Sequence, residues 1–179
     1  MNKNILLHAC CAPCASASSK RLTDQGYAPV LFFANSNIFP HKEFQRRLDA
    51  AERLAEILNI PLVFSPWEHE AWLEQVMPWA DEPEGGKRCE ICFHWNLSTT
   101  AQKAAELGIQ EFTTSLTISP HKSSETIFAA GRAFDGFREF NFKKQNGFAE
   151  SIRLSRAFGL YRQDYCGCEF SIPHRSSSP

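Results

Sequence analysis

"NILLHACCAPCASASSKRLTDQG", residues 4–26, decides the fold. It opens with an apolar run, residues 4–9, of the kind that forms a strand buried on both faces. It closes with a helix-period segment, residues 15–25, that Gly26 ends. Between them stand three cysteines in five positions, Cys10, Cys11 and Cys14. A strand that runs straight into a helix is the building unit of a parallel sheet.

The same alternation continues outward. "PVLFFA" (29–34) reads as a second buried strand, and "PLVF" (61–64) and "EFTTS" (111–115) as shorter ones. Residues 41–58 place Phe44, Leu48, Ala51, Leu54, Ala55 and Leu58 on one helical stripe, with Pro61 beyond its end. Residues 90–107 carry Leu97, Ala101, Ala104 and Leu107, closed by Gly108. Residues 123–134 begin at Ser123 or Ser124, both good N-caps. The pattern predicts an α/β fold, a parallel sheet with helices on both faces. In such sheets ligands bind outside the carboxyl ends of the strands. Cys10, Cys11 and Cys14 follow the first strand, "NSNIFPHK" (35–42) the second and "TISPHK" (117–122) the fourth. These loops are expected to share one edge and to carry a metal site there. No glycine-rich phosphate loop occurs, so an ATPase reading has no support.

The 179 residues suit one ordinary domain, expected over 1–172, with "PHRSSSP" (173–179) as a frayed, flexible tail. The hydrophobic fraction of 43% is enough for a core. Net charge is −1, but residues 122–162 hold eight Lys/Arg against four Asp/Glu. Residues 1–121 hold ten against fourteen. That asymmetry points to an anionic partner near the C-terminal third. "MNKNILLHACC" shows no long apolar leader, and no run approaches the ~18 apolar residues of a membrane span. A cytoplasmic protein with no membrane partner is expected. Structural disulfides are rare there, so seven cysteines indicate metal or redox chemistry.

Cys11-Ala-Pro-Cys14 follows a strand and opens a helix, the context of a thioredoxin-like redox pair. The adjacent Cys10 and a second such pair, Cys89-Glu-Ile-Cys92, argue for metal instead. Two CxxC pairs supply four thiolates, suited to zinc or an iron–sulfur cluster. With 74 residues between Cys14 and Cys89, this is no compact zinc ribbon. Cys166-Gly-Cys168 would close a very small disulfide ring, strained and easily reduced, as a cycling redox pair requires. The same pair could instead ligate metal. His8 reads as a satisfied core histidine, and His41 and His121 as exposed loop residues. "FKK" (142–144) and "YRQ" (161–163) are candidate phosphate or ribose contacts.

Taken in order, "LLHACCAPC", "NSNIFPHKEFQRR", "RCEICF", "EFTTSLTISPHKS" and "FKKQNGFAESIRLSRAFGLYRQDYCGC" resemble the QueH-type epoxyqueuosine reductases from about Ile5 to Ser171. Each motif alone is weak, whereas their ordered combination is specific. Ser36 stands where the family often has Pro, and Phe93 where Tyr is common. The resemblance implies a HUP-like Rossmann fold and the last step of queuosine biosynthesis, reduction of epoxyqueuosine to queuosine at the tRNA wobble position. It implies a 4Fe-4S cluster on Cys10, Cys11, Cys89 and Cys92 and a redox-active pair at Cys166 and Cys168. Spacing alone prefers Cys14 to Cys10, so Cys14 stays a candidate ligand of the cluster or of an adjacent iron ion. Asp164, close to the CGC pair, is the candidate proton donor. The partners implied are the anticodon arm of tRNA carrying epoxyqueuosine and an unknown electron donor. Two other classes compete: a thioredoxin-like dithiol oxidoreductase and a zinc-stabilised RNA-binding adaptor.

Overall fold

The computed structural model describes residues 3–172, so the segment 173–179, read as a tail, lies outside the described residues. Four strands, β1 (Lys3–His8), β2 (Tyr27–Phe33), β3 (Leu62–Phe64) and β4 (Phe112–Thr114), form one parallel sheet in the order β3-β2-β1-β4. The expected α/β architecture is the one found. β1 is central, pairing Leu6 with Val30 on one side and with Phe112 on the other.

Both faces are covered. Successive side chains of β1 point to opposite faces. Ile5 and Leu7 pack with Leu22, Leu54 and Leu154. These come from α1 (Ala12–Asp24), α2 (His41–Leu58) and α6 (Gly147–Ala157). Leu6 packs on the other side with Phe32, Leu97 and Ile127. That layer is α4 (Lys87–Glu106) and α5 (Ser124–Gly131). The short α3 (His69–Val76) lies against α4 and buries Trp72 and Val76.

α1 begins at Ala12, earlier than the periodicity indicates. Cys11 is its N-cap and Pro13 sits in the first turn, where no backbone N–H is required. The three cysteines therefore occupy the junction between β1 and the positive end of α1. His8 ends β1 as a satisfied core residue. It is fully buried, Nε2 donating to Ala34 O (3.2 Å) and Nδ1 accepting from the Thr114 hydroxyl (2.9 Å). Burial pushes its pKa down to about 4, so the ring is neutral and fastens three strand ends together.

Candidate metal and redox centre

The thiols of Cys10, Cys11 and Cys14 lie within 4.8 Å of one another. Cys11 Sγ accepts from the Cys14 N–H (3.4 Å), so the thiol does the work of a helix cap. Hydrogen bonds from Cys10 and Cys14 outweigh desolvation and hold the Cys11 pKa well below the usual thiol range. Hydrogen bonding to Cys10 and Cys11, with burial, pushes Cys14 up. Ser115, just beyond β4, accepts from the Cys10 N–H (3.0 Å) and donates to Cys10 Sγ (3.2 Å).

The second pair enters on α4. Cys89 and Cys92 lie in its first two turns, and the Gly85 N–H donates to Cys89 Sγ (3.2 Å). Burial raises both thiols, Cys92 the more; Cys166 adds to the effect on both and Cys168 to that on Cys92. The third group arrives on the loop after α6. Arg47, on α2, donates from Nη1 to Cys166 O (2.9 Å) and from Nη2 to Tyr165 O (3.2 Å). The Phe39 N–H donates to Gly167 O (2.8 Å). Gly167 has φ +141°, and a Cβ there would meet Arg47 and Ile38 at 3.1 and 3.2 Å, so the loop requires glycine.

A cavity of about 490 Å³ joins these segments at the carboxyl edge of the sheet. Cys10, Cys11, Cys14, Cys92 and Cys166 line it, with Asn37, Asn96, His121, Lys122, Arg162 and Asp164. A smaller one beside it is walled by Cys89, Cys92, Cys166, Cys168, Trp72 and Arg88. All seven cysteines thus face the two adjoining spaces, and the described residues include no disulfide. A cavity of this size suits a small organic group such as a nucleoside.

The donor set fits a thiophilic metal centre. Trp72 Nε1 and Arg88 Nε are buried N–H donors with no partner among the described residues, and both residues wall the space around Cys89 and Cys92. Donors left free beside sulfur are suited to anionic thiolate or sulfide. Burial raises the Cys89, Cys92 and Cys168 thiols, a cost that a bound cation offsets by drawing the protons off. Lys122 adds a positive charge that lines both spaces. Burial opposes it, but Cys166, Cys10 and Cys14 outweigh that and push its pKa up.

A family model described as "Epoxyqueuosine reductase QueH" matches residues 5–174. The chain belongs to the epoxyqueuosine reductase QueH family. A relative of that name from Streptococcus pyogenes serotype M1 is 37% identical over 180 residues, covering 94% of this chain and 70% of the relative. One from Thermotoga maritima is 35% identical, over 96% of this chain and 91% of its own. One from Dehalococcoides mccartyi is 34% identical, over 100% and 98%.

For this QueH-family chain, every cysteine singled out in the sequence lies at the joined cavities, and Asp164 lines the larger one. Cys14 stands in the tight trio with Cys10 and Cys11, while Cys89 and Cys92 approach from α4. Sequence reasoning missed Arg47, Trp72, Arg88, Asn96 and Lys122. Lys122 sits in a loop already placed at the active edge. Asn96 follows Cys92 by four residues and so shares its helix face. Arg47 looked like an ordinary helix residue and Trp72 lay in no predicted element, and only tertiary contact shows their place at the site.

Proposed function

We propose that this chain reduces epoxyqueuosine in the tRNA wobble position to queuosine, the last step of queuosine biosynthesis. The observation that carries the reading is the convergence of three separate thiol groups on one nucleoside-sized space in a QueH-family chain. Opening the epoxide to an alkene consumes two electrons and two protons and releases water. A 4Fe-4S cluster held by Cys10, Cys11, Cys89 and Cys92, with an iron ion beside it, would supply single electrons and a Lewis acid for the departing oxygen. Cys14 is the alternative fourth thiolate or a ligand of that ion.

The chain's own residues supply the rest. Cys166 and Cys168, closing from dithiol to disulfide, release two electrons and two protons, which matches the demand of the reaction. Lys122 stabilises negative charge on Cys166. Asp164, at the cavity wall, protonates the departing oxygen. An external electron donor then reopens the disulfide. No described helix is long and apolar enough to cross a membrane, and we place the protein in the cytoplasm with its tRNA substrate.

The test is anaerobic purification with iron and sulfide analysis, alongside turnover of epoxyqueuosine-containing tRNA. A brown protein that yields queuosine is expected. A colourless zinc protein without turnover would make it the RNA-binding adaptor, and a colourless metal-free one the dithiol oxidoreductase.

A further inference from the structure

The charge asymmetry of the sequence locates an anionic partner at residues 122–162, but the structure uses up much of that charge. Arg132 is held by Glu125 and Glu139, Arg138 by Glu111 and Arg153 by Glu150. The Lys143 ammonium donates to the Lys122 carbonyl. Six exposed cations, Lys42, Arg46, Arg53, Lys144, Arg156 and Arg162, have no carboxylate partner among the described residues. Three of them lie on α2, in the half of the chain that is acidic by composition.

Lys144 sits on the turn before α6, but the other five are not scattered. The Arg46 guanidinium lies 3.6 Å above the Tyr161 ring. Arg53 Nη2 is 3.5 Å from where a Cβ on Gly159 would stand. Arg162 Nη1 donates to Ser155 Oγ (3.0 Å), and Arg162 also lines the thiol cavity. The edge of α2 and the turn at 158–162 therefore form one surface that ends at the cavity. At 100° per residue, positions 42, 46 and 53 fall within an arc of about 40°. Glu43, whose carboxylate accepts from the Tyr161 hydroxyl, marks the side of α2 facing the turn. Asp49 and Glu56 lie beyond the far side of that arc, and Asp49 already accepts from Gln45.

We propose that Lys42, Arg46, Arg53, Arg156 and Arg162 form a phosphate-binding ledge that lays the anticodon stem-loop of the substrate RNA across the mouth of the thiol cavity. The proposal rests on reading tRNA as the substrate. A base must leave its stack to enter an enclosed site, so the backbone on either side has to be gripped at the rim. The Tyr161 ring holds the Arg46 guanidinium extended, which lowers the entropy lost on binding. Phe39 is exposed and its carbonyl accepts from the Tyr165 hydroxyl (2.6 Å) beside the CGC loop. It offers a stacking face for a neighbouring base.

The experiment measures binding of epoxyqueuosine-containing tRNA to the anaerobically prepared, metal-loaded protein across a salt series. Arg46→Glu with Arg53→Glu is expected to raise Kd about tenfold or more. It should lower the slope of log affinity against log salt by about 1.5, since each phosphate contact contributes roughly 0.7–0.9. Lys103→Glu with Arg132→Glu changes net charge equally at residues already paired with carboxylates, and should move Kd less than about twofold. Arg46→Lys with Arg53→Lys should bind as wild type. If both reversed pairs weaken binding equally, only net charge matters and the ledge is wrong. If the α2 pair binds as wild type, the ledge is equally wrong. Should the reversal disturb the fold, Arg46→Gln with Arg53→Gln replaces it, with a slope about 1.5 lower expected and an unchanged slope overturning the ledge. A wild-type protein that binds no tRNA even at low salt removes the functional reading itself, a failure distinct from that of the ledge.

Discussion

The Arg47 guanidinium is 2% exposed and reaches Glu43, Tyr165 and Cys166 from the middle of α2. A buried cation is tolerated only when its N–H groups find acceptors, and here the acceptors include the backbone of the CGC loop. Its removal leaves Glu43, itself mostly buried, without a cation. Arg47→Met is therefore expected to cost about 3–5 kcal/mol, read as a fall in the urea midpoint at unchanged slope. Arg47→Lys keeps the charge but cannot reach both carbonyls with a fork of N–H groups. It should cost less stability yet speed alkylation of the Cys166 thiol. Wild-type alkylation of that variant would mean the loop is held by something else. In the sequence Arg47 is one of two adjacent arginines; at 100° per residue it falls within the apolar stripe of α2 and Arg46 opposite it, but periodicity does not say which carbonyls would accept from the buried one.

β1 and β2 were legible because a strand buried on both faces must be a continuous apolar run, and few other structures impose that pattern. α2 and α4 were legible from their apolar stripes. α3 escaped because eight residues give too few turns for a stripe to stand out, and its anchors are only His69, Trp72 and Val76. α6 escaped because its start carries none of the usual signals. Its N-cap, Asn146, has a left-handed backbone and makes no side-chain cap bond. Gly147, a residue type that weakens a helix interior, opens the helix because nothing larger fits. A Cβ there would run into the Phe142 carbonyl. α6 packs along α1, the helix whose start carries the three clustered thiols. Gly147→Ala should therefore displace the 142–147 turn and cost about 2 kcal/mol or more, although alanine is the better helix former. A thermal melt as high as wild type would show that the turn yields without penalty. The site was legible for the same reason as the strands: cysteines clustered at loops and helix starts stand out against composition, and sheet topology says where those loops meet. Its buried donors, Trp72 and Arg88, were not, because nothing in a sequence states that an N–H lacks a partner.

Across the whole molecule the thiols belong to different layers. Cys14 packs with the α1–α2–α6 core, Cys10 and Cys89 with the α4–α5 core, and Cys92 with Trp72 and Val76. A metal group held jointly by the β1–α1 junction and the start of α4 would therefore staple both covers of the sheet across its carboxyl edge. Anything that binds the folded state and not the unfolded one adds stability by mass action, so loss of the metal should lower the melting temperature. The loss should also be uneven. β1 is the sheet's central strand, and its amides stay paired with or without metal. Residues 84–92 rest on a polar loop and on the Gly85 N–H bond to Cys89. Cys89→Ala is thus expected to lose most of the iron and to exchange amide hydrogen faster at 84–92, with β1 unchanged. Cys10→Ala and Cys14→Ala then separate the two ligand sets, since the true ligand is the one whose loss releases iron. Full iron in Cys89→Ala, with exchange as slow as wild type at 84–92, would overturn the assignment of Cys89 as a ligand.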